Sequence, residues 1–192
     1  MSDAPAQKRN LRSLWLIIAL CAAPVAASYL LYYLWPPARS VNYGELLEPR
    51  PLTDPGLTLA DGTPFQLSSL KGKWVLAMVD NAACDSWCEK KLLYIRQLRL
   101  TQGKEMDRVE RAWIVADEAP LRADAVASYQ GTWFIRAAGS GLVTLFPASS
   151  AVSDHIYIID PLGNLMMRYP RDPDPQRMIK DLKRLLKASG IG

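Results

Sequence analysis

Two cysteines stand four positions apart in the stretch Asn81-Ala82-Ala83-Cys84-Asp85-Ser86-Trp87-Cys88. On a helix, residues i and i+4 share one face, so both sulfurs can point the same way. At a helix N-terminus the unpaired N–H groups and the helix dipole lower a thiol's pKa and favour thiolate, the form that attacks disulfides and binds metals. The pair therefore admits two chemistries: exchange between dithiol and disulfide, or capture of a soft metal ion. Which sulfur attacks is not fixed by the spacing, and Cys84 is taken as the more exposed. His155 is the chain's one histidine, so an imidazole donor to join the sulfurs has one source. The bland readings are a packed cysteine pair and a strand-edge histidine satisfied by solvent or by Asp154. A pair buried inside the core would remove both chemistries. Asp85 and Glu89 add negative charge beside the thiols, which opposes thiolate formation and makes a strong oxidant a poor fit.

The surrounding sequence must place this pair at the end of a strand. Trp74–Asp80 is an apolar run with Lys71-Gly72-Lys73 ahead of it, which reads as a buried strand. From Asp85 the period turns helical, with Trp87, Leu92, Ile95 and Leu98 or Leu100 on one stripe and Lys90, Lys91, Arg96 and Arg99 around it. Strand-to-helix junctions are where α/β proteins put chemistry. Ahead of the strand, Gly56–Phe65 reads as a hairpin turning at Asp61-Gly62. Behind the helix come a strand over Val109–Ala116, a short helix over Leu121–Tyr129, a strand over Thr132–Ile135 and a weak helix up to Phe146. His155–Ile159 and Asn164–Tyr169 form an antiparallel pair around Asp160-Pro161-Leu162-Gly163, and Met178–Ala188 is an amphipathic helix. Asp117 and Glu118 read as a loop start that caps rather than catalyses. Trp87 reads as core packing in preference to a shield over the site, and Met166-Met167 carries no assigned role. The order is that of a thioredoxin-type α/β domain over 57–190.

Upstream, Ser13–Ala38 carries no charged residue and is long enough to cross a bilayer, with Trp15, Tyr29, Tyr32, Tyr33 and Trp35 near its two ends. Signal cleavage near Ala23–Ala27 is the alternative, but Tyr29–Trp35 continues the apolar run past that point, so a retained anchor is expected. Cys21 reads as a thiol inside the span. Lys8, Arg9 and Arg12 precede it, so residues 1–12 are expected in the cytoplasm, 39–56 as a linker, and the domain on the periplasmic side of the inner membrane, where disulfides form. The net charge of +4 and pI near 9.0 come without a dense basic run, which argues for solvation and topology and against nucleic-acid binding.

With these residues in view the chain resembles the SCO/SenC proteins. The resemblance rests on Cys84-x-x-x-Cys88 after a buried strand, Ala116–Leu121 after a second, Asp154-His155 ahead of Asp160-Pro161-Leu162-Gly163, and the single N-terminal anchor. It implies a thioredoxin-like fold and copper held by Cys84, Cys88 and His155. It also implies a role in loading the copper centre of cytochrome c oxidase, with the copper-bearing subunit or another assembly factor as partner, or in reducing that centre's cysteines. The departures fall on the site. Asp85 and Glu89 stand where the family has proline, and Val152 stands where its histidine is usual. A shift of three residues on an extended strand turns a side chain to the other face. A tethered scaffold with a degenerate site is a third reading.

Overall fold

The computed structural model describes residues 11–34, 42–53 and 56–191, in two compact units divided after Val41. The first unit contains α1, Leu11–Leu34. Its stretch Ser13–Leu34 is long and apolar enough to cross a membrane. The remaining residues expected in the tail, the end of the span and the start of the linker (1–10 and 35–41) lie outside the described residues.

The second unit is an eight-stranded sheet in the order β1-β8-β7-β4-β5-β6-β2-β3. β4 (Trp74–Asp80), β5 (Val109–Val115) and β6 (Trp133–Arg136) run parallel. β7 (Ile156–Ile159) and β8 (Asn164–Arg168) continue antiparallel on the other side of β4, and β2 (Leu57–Leu59) with β3 (Pro64–Phe65) closes the far edge. The helices are α2 (Ser86–Leu100), α3 (Ala123–Ser128) and α4 (Pro175–Ala188). This is the thioredoxin-like α/β plan expected from the order of elements.

β4 explains the continuous apolar run. It is central, so both its faces are covered. Trp74, Leu76 and Met78 pack with the cysteines, Leu92 and Ile95 of α2, and Met178 and Leu182 of α4. Val75, Ala77 and Val79 face a second core with Ile114, Ile135, Leu142, Phe146 and Tyr157. Alternation of strand side chains makes one sequence serve two layers.

Three expectations change. The expected linker carries a strand, β1 (Glu45–Pro51), paired antiparallel with β8 and shifting register between Leu46 and Arg50. Pro49 and Pro51 are tolerated because β1 is an edge strand, where a missing N–H costs no ladder bond. The weak helix expected before Phe146 is a single 3₁₀ turn, Leu142–Leu145. The last helix starts three residues earlier than expected, with Asp174 accepting from Gln176 and Arg177 N–H and Pro175 opening the first turn.

Candidate functional site

The site is assembled at the end of β4. Asp80 closes the strand, and its backbone carbonyl accepts from Ala116 N–H at 3.0 Å, tying the loop to the end of β5. Asp117 braces the same loop, accepting from Ala82 N–H at 3.0 Å; it caps no helix, since the N-cap of α3 is Arg122. The chain then turns through Cys84, whose N–H donates to Asn81 O and whose φ is +46°. A left-handed conformation in a residue bearing Cβ costs on the order of 1–2 kcal/mol, and such positions cluster at functional sites. Asp85 is the N-cap of α2, accepting from Cys88 N–H at 2.8 Å. Cys84 thus lies just before the helix and Cys88 in its first turn.

The two cysteines are joined as a disulfide, with Cα atoms 5.0 Å apart. Spacing and junction have done what the sequence expects of them. Exposure differs from expectation: Cys84 is 3 % exposed and Cys88 fully buried, both inside the larger core. The pair is therefore covered, with Cys84 nearer the surface. Arg122, at the start of α3, donates to Cys84 O at 3.4 Å and to Glu89 at 2.8 Å, and it also pairs with Asp124. Those two carboxylates raise the guanidinium's pKa further above its usual value, so the Glu89 charge beside the pair is matched by a fixed cation.

His155 is placed elsewhere. Its backbone is extended, and its ring shares the face of Tyr157, the two centroids being 5.9 Å apart. Tyr157 belongs to the second core, while the neighbours of the cysteines on this strand are Ile156 and Ile158. Nδ1 lies 2.8 Å from Tyr169 O. A carbonyl only accepts, so Nδ1 donates this bond, and Nε2 is buried without a hydrogen-bond partner among the described residues. The ligand set of Cys84, Cys88 and His155 is not brought together, and no three metal-ligating side chains converge among the described residues. No strand parity links Val152 to His155: Val152–Asp154 is a 3₁₀ turn, and Val152 packs with the second core, the side that His155 shares with Tyr157.

Several residues that matter here were not legible beforehand. Lys91, expected on the polar rim of α2, is fully buried. Its ammonium donates to Asp80 at 2.7 Å, to Ser153 O at 2.5 Å and to Val79 O at 3.4 Å. Burial pushes its pKa down, and the Asp80 carboxylate opposes that. Trp87 is half-buried rather than core, with its indole N–H donating to the same Ser153 O at 3.2 Å. Two donors from the cysteine helix thus hold the turn ahead of β7. Only the pairing of a lysine one turn after Cys88 with an aspartate at a strand end could have signalled this.

The family model that matches is the transmembrane-like, thioredoxin-like, C-terminal domain, over residues 74–189. No curated protein matches the sequence. Among solved structures, copper-bound ScoI of Bradyrhizobium japonicum is similar at 21 % identity and a TM-score of 0.54, covering 73 % of this chain and 98 % of that one. Copper-bound yeast Sco1 gives 16 % and 0.59, covering 73 % and 96 %. A putative electron transfer protein from Aquifex aeolicus VF5 gives 18 % and 0.54, with 73 % and 96 % covered. At these identities the likeness is one of fold.

Proposed function

The chain belongs to the family of transmembrane-like, thioredoxin-like C-terminal domains, and we propose that it is a membrane-anchored thiol–disulfide protein whose reduced form can also carry copper(I). The observation behind this is the disulfide at the β4–α2 junction, with Cys84 in a left-handed conformation and nearer the surface than Cys88. In the reduced protein, Cys84 thiolate attacks one sulfur of a client disulfide. A Cys84–client disulfide forms and one client thiolate leaves. Cys88 thiolate then attacks the Cys84 sulfur, closing the Cys84–Cys88 bond and expelling the second client thiolate. Two electrons pass to the client, and a dithiol donor returns the pair to the reduced state. The burial of Cys88 suits a resolving sulfur that meets only its neighbour. Buried in the core, the pair can do neither chemistry in the closed fold, so both exchange and copper capture require the cover over Cys84 to open first.

Copper enters as cargo. Two thiolates four residues apart offer soft donors suited to copper(I), while the imidazole that would favour copper(II) is turned to the other face. This narrows the copper reading to the +1 ion held by Cys84 and Cys88. The resemblance to SCO/SenC proteins and the copper-bound structures of similar fold support it; a copper-bearing oxidase subunit or another assembly factor as client follows from the resemblance alone. The run of α1 and the charges ahead of it support an inner-membrane anchor with the domain in the periplasm. A scaffold with a structural disulfide is the second reading, favoured by the burial of both cysteines.

Anaerobic copper(I) titration of the reduced protein against a competing chelator separates these readings. Cys84→Ser and Cys88→Ser are expected to lose tight binding, and His155→Ala to retain it. Cysteine-independent binding would remove the copper reading. Trapping of a mixed disulfide between Cys88→Ser protein and a disulfide substrate is expected from the exchange reading alone. Its absence would leave the scaffold.

A further inference from the structure

The outer face of α4 is strongly basic. Arg177, Lys180, Lys183, Arg184 and Lys187 are all exposed, and Lys180, Lys183 and Lys187 repeat at helical spacing along one stripe. The helix has one acid, Asp181, and it is buried. The stripe continues across a cleft of about 470 Å³ to Lys104, where Glu105, the only carboxylate among the described residues lining it, is paired with Arg108 at 2.7 Å.

The second observation is where the chain enters the domain. Asp181 turns its carboxylate inward and accepts from the N–H groups of Tyr43 and Gly44, both at 2.8 Å. Tyr43 is held further by Asp174 N–H, which donates to its hydroxyl at 3.1 Å, and by the Arg177 guanidinium 4.0 Å above its ring. A side chain at Gly44 would overlap Met167 and Tyr169, so the chain lies close against the domain at this point. Eight residues, 35–42, separate the end of α1 at Leu34 from Tyr43. A chain of that length reaches at most about 29 Å when fully extended.

We propose that the basic face of α4 docks on anionic phospholipid head groups of the membrane that α1 anchors. The partner follows from charge and reach. A short tether fastened to α4 itself lets this helix, with three stripe lysines and no exposed acid, come to the head-group layer. Lys/Arg clusters beside a membrane span bind anionic head groups, and the attraction decays within a Debye length of about 8–10 Å. This rests on the reading of α1 as a membrane span, and it goes beyond the redox site.

The test uses the full chain in nanodiscs of neutral phosphatidylcholine or of phosphatidylcholine with about one third phosphatidylglycerol, whose negative surface potential attracts Lys/Arg clusters. Lysine labelling by a small amine-reactive reagent is followed by mass spectrometry, with Lys71 as internal control. Labelling of Lys180, Lys183 and Lys187 is expected to be about tenfold slower in the anionic discs and to recover at high salt. In K183E/K187E, Lys180 should label equally in both lipids. Equal labelling of the unsubstituted protein in both lipids overturns the proposal, as does protection in both that grows with protein concentration, which marks a second copy. Insertion is scored on the same samples by resistance to alkaline extraction. Protein that inserts without protection removes the docking face and keeps the span; protection by anionic discs without insertion supports the face and removes the span.

Discussion

Asp85 serves the cysteine pair in two opposed ways. As N-cap it satisfies Cys88 N–H and fixes the start of α2, and as a carboxylate beside two sulfurs it disfavours thiolate. Asp85→Asn keeps the cap and removes the charge. It is expected to change stability by less than about 1 kcal/mol and to raise the midpoint potential by about 30 mV, a tenfold shift of the exchange equilibrium towards dithiol. A thiol-buffer titration of the two proteins checks this, and an unchanged potential would show that the charge does not reach the sulfurs. Lys91 is the opposite case, a buried cation that matters for architecture. Lys91→Met strands Asp80 beside the site and is expected to cost about 3–5 kcal/mol in denaturant unfolding. Asp80→Asn with Lys91→Met should cost clearly less, and a double-mutant cycle reads the coupling. The cysteines and Asp85 were legible because spacing and capping chemistry are local. Lys91 was not, because its burial depends on a carboxylate eleven residues away in sequence that closes the adjacent strand.

Strands show how far periodicity reaches. β4, β5 and β8 could be read from their apolar runs, but strand parity could not place His155, because Val152–Asp154 ahead of it is a 3₁₀ turn. β1 could not be read at all: with Pro49, Pro51 and mostly exposed residues it has no alternation, and its pairing with β8 is a tertiary fact. Tyr157 on β7 gives this layer a pH test. Its hydroxyl donates to Pro147 O at 3.0 Å, and burial pushes its pKa up to about 12 from 10.0. A raised tyrosine stabilises the fold fully below the unfolded pKa, and that contribution is lost as pH climbs from about 10 through 12. Tyr157→Phe is expected to lose about 0.5–1.5 kcal/mol at neutral pH and to show a shallower alkaline fall in melting temperature. The fall persists in part, because burial raises Tyr169 as well. Parallel pH curves for the two proteins would place the alkaline sensitivity elsewhere.

For the whole molecule, the division after Val41 and the two cores within the second unit imply independence. Removal of residues 1–41 is expected to give a soluble domain that unfolds cooperatively, since every core residue described lies beyond the cut. An insoluble or non-cooperative product in denaturant and scattering measurements would show that α1 completes the fold. The division between the apolar helix and the domain was legible in composition alone; the use of Tyr43 and Gly44 as a fastening on α4 was not, because it joins residues 137 and 138 positions apart. What the whole assembly is for turns on whether a covered disulfide can be opened without unfolding the domain around it. The direct measurement is a redox titration of the folded protein in thiol buffers of defined potential, with rapid alkylation and mass spectrometry assigning each thiol and circular dichroism following the fold. A reversible two-electron transition is expected above about −300 mV, with native structure retained and Cys84 alkylated ahead of Cys88. A disulfide that resists reduction until the domain unfolds would contradict it and leave Cys84–Cys88 as a structural staple.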